Sequence, residues 1–294
     1  MKRILIIAPL FLLLMNCGSS HTATNAKKGK TKTITVLDYA IEKSHLLVTE
    51  KVIDPKNKNK TKENTTTEIE QRQFLFTYDD AGQLVNTYSC DILNDKKTNP
   101  STLTVHLNAK KQITGLSLDE NENKLKVSYK DNFVHQISHY ESEFKELVVN
   151  TFTYNKNKLP GKTQLGNASK PSQVIDLSFS YDEKLNVVES TYDNEVMTLA
   201  YDDKKYLLAG QPYYYNPFYY LSIDWLTFTN YNPQNNITRS EDNEFITTVD
   251  YTYNEKDLPI TATVTKTSKV NKQDSRVTSE HEFHYKEIEI PIKK

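Results

Sequence analysis

Few residues in this chain are typed and spaced for chemistry. His135 and His139 lie four apart, the interval that places two metal ligands on one helix face, but the sequence around them alternates like a strand. His281-Glu282-Phe283-His284 also lacks the helical spacing of a zinc site, so exposed strand histidines are the simpler account and no metal is expected. Asp79/Asp80 and Asp202/Asp203 could attract calcium, yet Asp at such positions more often shapes a turn. There is no nucleophile elbow, phosphate loop or dinucleotide fingerprint. No catalytic residue and no cofactor is therefore assigned. Carboxylates for glycoside hydrolysis abound on any such surface and decide nothing.

One thiol has a context of its own. Lys2 and Arg3 precede an apolar run, Ile4 to Met15, which is too short to span a bilayer permanently. The run ends at Leu14-Met15-Asn16-Cys17 and resembles the lipobox of bacterial lipoproteins, with Asn16 departing from the small residue usual there. The resemblance implies cleavage before Cys17, acylation of that residue and an outer-membrane lipid partner. Gly18 after the Cys favours a lipid-anchored outer-membrane protein, on the periplasmic face rather than the cell surface. Cys90, the second of two cysteines, would then have no disulfide partner within the chain. The expected organisation is a signal peptide over 1–16, a flexible tether over 17–33 and a single β domain over 34–294.

Composition narrows the classes further. Removing Lys2 and Arg3 leaves 35 basic residues against 38 acidic ones, a net charge of −3 (35 − 38), and no basic face that would take nucleic acid. Tyr at 19 and Phe at 11 are plentiful, and with frequent Thr they suit a pleated, half-buried surface.

The elements that would position any site are written in a recurring phrase. Phe76-Thr77-Tyr78-Asp79-Asp80-Ala81-Gly82-Gln83-Leu84 appears again around Tyr129, Tyr154, Tyr181, Tyr201 and Tyr253. Alternation such as Ile175, Leu177, Phe179, Tyr181 gives strands with one dry and one wet face, which is antiparallel patterning. The expected core row is Phe76, Tyr78, Phe152, Tyr154, Phe179, Tyr181, Tyr251, Tyr253 and Phe283. Each of these Tyr except Tyr129, which Lys130 follows, is followed by Asp or Asn in a short turn, and Pro160 and Pro259 open returning strands, where a missing donor costs little. About nine such units predict roughly 14–18 strands. Segments 54–68, 94–101 and 268–276 read as long loops.

Tyr78-Asp79-Asp80-Ala81-Gly82-Gln83-Leu84 resembles the core of the YD repeats of Rhs and teneurin-like shells. With the lipobox, residues 34 to 288 resemble small YD-repeat-like bacterial lipoproteins of unknown function. The resemblance implies architecture: an all-β antiparallel meander of hairpins curled into an open or nearly closed barrel. An integral outer-membrane barrel is the rival, but the second strand face (Thr77, Thr153, Ser178, Ser180, Thr252) is not the apolar band it needs.

Residues 211–228 interrupt the pattern with two prolines, and a short helix or plug is expected there. Tyr213, Tyr214, Tyr215, Tyr219 and Trp225 are the candidate ligand-binding residues, as an aromatic platform for a glycan, peptide or lipid. The functional expectation is a non-catalytic envelope lipoprotein, a binding or scaffolding module for an unknown glycan or protein partner. The alternative is a carbohydrate-active enzyme or glycan-binding protein.

Overall fold

In the computed structural model the described residues are 30–53, 61–119, 125–141, 146–167, 170–192, 195–208, 233–270 and 275–292. They form sixteen antiparallel strands in one closed barrel in which each strand pairs with its neighbours in sequence and the first pairs with the last. The strands are β1 (Thr31–Ile53), β2 (Thr61–Tyr78), β3 (Leu84–Leu93), β4 (Lys96–Leu107), β5 (Ile113–Leu118), β6 (Leu125–Lys130), β7 (Phe133–Glu141) and β8 (Glu146–Tyr154). They continue with β9 (Pro160–Asn167), β10 (Lys170–Tyr181), β11 (Val187–Tyr192), β12 (Glu195–Lys205), β13 (Asn235–Glu241), β14 (Phe245–Tyr253), β15 (Pro259–Ser268) and β16 (Ser275–Pro291).

The all-β antiparallel meander is as expected; its closure is complete rather than open or nearly so. The seam runs from Thr31 opposite Pro291 to Ser44 opposite Ser279. Pairing the seam satisfies the backbone groups that free edge strands would otherwise present to solvent. Two of the expected long loops are largely strand. Residues 61–68 belong to β2 and 96–101 to β4. Both stretches are Thr- and Lys-rich without an apolar period. Pairing with a long neighbour, β1 or β3, overrides the missing pattern. The expected helix or plug over 211–228 falls outside the described residues.

Alternate residues face the two sides of the wall. The inner face is dry. Leu37, Ala40, Phe74, Phe76, Val249, Ala262, Val264 and Phe283 form one buried cluster, joined by Tyr206, Leu207 and Leu208 from the end of β12. Leu177, Phe179, Val187, Leu199 and Ile237 form a second, and Ile113, Leu116, Val127, Val134, Ile137 and Phe152 a third. Most of the expected core row sits in or against these clusters; Tyr253 instead bonds the Asp202 carboxylate. The outer face is polar. Exposed Lys162, Asp176, Glu189, Arg239, Asp250, Glu280 and Glu282 lie mid-wall among Thr248, Thr252, Thr261 and Thr263.

Candidate functional site

The repeated phrase builds one rim of the barrel. After Tyr78 the Asp79 Oδ1 accepts from the backbone N–H of Ala81 and of Gln83, while the Gly82 N–H donates to the Asp79 carbonyl. Asn108 and Asn155 repeat this arrangement, and so does Asn254. Asp182 does so in part, taking the Asn186 N–H. Each is a type I turn closed by a residue in the left-handed region, which bulges the strand pair. That residue is Gly82 once and Lys111, Lys158, Leu185 or Asp257 elsewhere, with φ between 57° and 77°. Asp79, Asn108, Asn155, Asp182 and Asn254 are thus turn caps.

The Tyr hydroxyls tie each descending strand to the ascending strand before it. Tyr78 donates to the Leu37 carbonyl at 2.8 Å, Tyr129 to Ile113 at 2.9 Å, Tyr154 to Val134 at 2.7 Å and Tyr181 to Pro160 at 2.7 Å. Tyr201 bonds Val187 at 2.7 Å, Tyr251 bonds Ile237 at 3.2 Å and Tyr285 bonds Pro259 at 2.8 Å. The one pair without this tie among the described residues is β3–β4, where Leu107 stands in the Tyr position. Spacing alone reveals the tyrosines but not their acceptors, which sit 14 to 41 residues earlier.

Inside the wall the lining changes character towards the opposite rim. Glu42, 5% exposed, accepts from the Ser44 hydroxyl, and His281 lies paired with it across the seam. Arg72 binds Asp91 at 2.9 Å, and Asn99 donates to the same carboxylate. Sequence reasoning missed this inward polar group, because Glu42, Arg72 and Asp91 lie in stretches without alternation. At the turn rim, burial pushes the Asp79 carboxyl up. Its bonds to Lys111 and to the Gln83 and Ala81 amides outweigh this and hold it below the usual carboxylate range.

The structure brings none of the proposed chemistry together. His281 and His284 are on opposite wall faces: His281 is stacked near Phe283, whereas His284 is stacked on Tyr39 at 4.1 Å. Among the described residues no group of three or more His, Cys, Asp or Glu could hold a metal. Cys90 is buried and unbridged. Cys17, Tyr213, Tyr214, Tyr215, Tyr219 and Trp225 lie outside the described residues.

No family profile matches the chain, and no curated protein does. Among solved structures it is similar to a porin-like protein from Bacteroides uniformis, at 11% identity and a TM-score of 0.55. That match covers 85% of this chain and 98% of the other. Two structures of TcdB2-TccC3 align over 83% and 81% of this chain but 11% of theirs, at 15% and 16% identity. Their TM-scores, 0.29 and 0.28, are too low to bear on the fold.

The fold is therefore that of a closed, porin-like β-barrel, and two expectations are corrected. The YD-repeat-like lipoprotein family is not what the chain resembles as a whole. The Tyr-Asx phrase encodes a hairpin and its turn, and a hairpin grammar is shared by walls of different closure. The reading as a lipid-anchored binding or scaffolding module, with its carbohydrate-active alternative, is overturned by the same finding. It rested on a repeat scaffold, a lipid anchor and the aromatic segment 211–228, whereas the wall is a complete porin-like circuit.

Proposed function

We propose that the chain works as a non-catalytic, porin-like barrel of the outer membrane, and that its working surface is the inside of the wall. The observation that carries this is closure: with β1 paired to β16, the wall offers an inner face, an outer face and two rims, and no edge for strand addition. Similarity to a porin-like protein over 98% of that chain supports the same reading, as does an apolar leader of export type at residues 4–15. A sixteen-strand wall is wide enough for an aqueous channel. Here Phe74, Phe76, Leu177, Val264 and Phe283 close the inner face, so passage requires apolar side chains to move aside.

A second reading is favoured by the outer wall. Lys162, Asp176, Glu189, Arg239, Asp250, Glu280 and Glu282 stand where a lipid-facing wall carries an apolar band. An Arg or Lys at the bilayer midplane costs about 2–4 kcal/mol each. On this reading the barrel stands in water beside the outer membrane. Extraction and conductance separate the two. A protein that needs detergent, resists carbonate extraction and gives discrete conductance steps in a planar bilayer supports the channel. A detergent-free monomer with no conductance supports the aqueous barrel.

A further inference from the structure

The turn rim is charged unevenly around its circumference. On the arc from β4 to β11 the turns carry Lys110, Lys111, Lys130, Lys156, Lys158 and Lys184 against Asp131, Asp182 and Glu183, six bases to three acids. On the remaining arc the described residues carry Lys30, Lys32, Lys204, Lys205 and Lys256 against Asp79, Asp80, Asp202, Asp203, Glu255 and Asp257, five to six. All six lysines of the first arc are exposed.

Acids and bases are also held differently. Asp182 spends its carboxylate on the Asn186 amide and side chain. Asp79 and Asp202 do the same with their own turns and neighbours. Turn caps draw these carboxylates back towards the backbone, whereas lysine ammonium groups ride on long stems. Lys111 binds Asp79 at 2.9 Å, so five lysines against Asp131, Asp182 and Glu183 leave the β4–β11 arc net positive.

The wall begins and ends at this same rim. Thr31 of β1 pairs with Pro291 of β16, and the Ile292 N–H donates to the Lys30 carbonyl at 2.8 Å. Lys30 and Lys32 are exposed there. Chain entry and a basic arc thus share one end of the barrel.

We infer that the β4–β11 arc of the turn rim is a docking surface for anionic lipid headgroups. The inference rests on the second reading, a barrel standing in water beside the outer membrane, and lays this arc of the rim against the phosphate layer. Charge complementarity supplies the contact, each lysine near an anionic surface adding on the order of fivefold to affinity. Because the contact is exposed, salt weakens it.

The test is flotation of the full chain with vesicles of phosphatidylcholine alone or with phosphatidylglycerol added. A variant carrying Lys110→Gln, Lys156→Gln, Lys158→Gln and Lys184→Gln is compared with one carrying Lys204→Gln, Lys205→Gln and Lys256→Gln. Unchanged melting curves establish that both are folded. Expected are binding to phosphatidylglycerol vesicles at low salt, its loss at high salt, and a fall of on the order of a hundredfold or more for the first variant only. Two results overturn the inference: no low-salt preference for anionic vesicles, or equal losses in the two variants. Salt-stable association that neither variant alters overturns it too, while leaving the outer-membrane reading standing as insertion through the wall.

Discussion

The Tyr78 hydroxyl donates to the backbone carbonyl of Leu37 at 2.8 Å, across 41 residues of chain. Both residues pack in or against the first buried cluster, so the bond lies inside the wall. The register of β1 shifts between Leu37 and Tyr39, and that of β2 between Thr77 and Tyr78. Where bulges interrupt the ladder, a side-chain donor reaches the carbonyl instead. The same hydroxyl-to-carbonyl bond recurs in six more strand pairs and calls for Tyr rather than Phe at those positions.

Removing one such hydroxyl should therefore be felt. Tyr78→Phe, Tyr154→Phe and Tyr181→Phe each leave a partly buried carbonyl short of a donor while keeping the ring. Each is expected to lower stability by about 1–3 kcal/mol. Leu107→Phe offers the contrast, since no hydroxyl bond exists there to lose. Urea denaturation midpoints measure both, and Tyr→Phe variants indistinguishable from wild type would contradict the role given to the ladder.

The turns make a prediction with the opposite sign. Lys158 and Leu185 occupy left-handed backbone at φ 64° and 70°, the place Gly82 fills in the first turn. A residue with a Cβ pays roughly 1–2 kcal/mol there. Leu185→Gly, at an exposed site, is expected to stabilise by up to about 1 kcal/mol once the entropy of the unfolded glycine is set against the relief. Gly82→Ala is expected to destabilise, because φ is 77° and the new Cβ would lie 2.6 Å from Ile34 Cδ1. Thermal melts of the pair should move in opposite directions.

How much of this was legible follows from where each signal is stored. The hairpins were readable because Tyr, the Asx cap and the returning aliphatic residue lie within about nine residues of one another. The start of β9 at Pro160 and of β15 at Pro259 followed from the missing proline donor. Closure was not readable. It depends on β1 meeting β16, as in Ala40 opposite Phe283, and no local pattern records a pairing so distant. The inward group of Glu42, Arg72 and Asp91 escaped for the same reason: its members meet only through register. For Asp79 the residue types allow a turn cap or a metal ligand, and the turn is what the backbone bonds show.

Asp79 carries a pH dependence. Its carboxyl is held below its ordinary value in the folded chain, so its contribution is present above the unfolded value of about 3.9 and is lost as pH falls through the lower folded one. Asn serves the same cap at 108, 155 and 254, so Asp79→Asn should keep the turn and lose only the attraction to Lys111. Lys111 is more than half exposed, and screening limits the loss to roughly 0.2–1 kcal/mol near neutrality. The difference between Asp79→Asn and wild type should vanish once the pH lies below the folded value. A difference that persists in acid would mean the cap, not the charge, had been damaged.

The barrel's closure predicts how far a local injury travels. Phe179 is 8% exposed in the second cluster, beside Leu177 and Val187. Phe179→Ala is expected to cost about 3–5 kcal/mol through lost burial and the cavity left behind. Ala40, fully buried in the seam strand, stands opposite Phe74 on one side and Phe283 on the other. Ala40→Phe would crowd a third ring between them, and overpacking of this kind costs about 1–3 kcal/mol. The two sites belong to separate clusters, yet a wall whose strands are all paired in one circuit should unfold as a unit. Both variants are therefore expected to shift one shared transition, followed by circular dichroism and by tyrosine fluorescence. Two separated transitions, with Ala40→Phe moving one and Phe179→Ala the other, would contradict a closed cooperative wall.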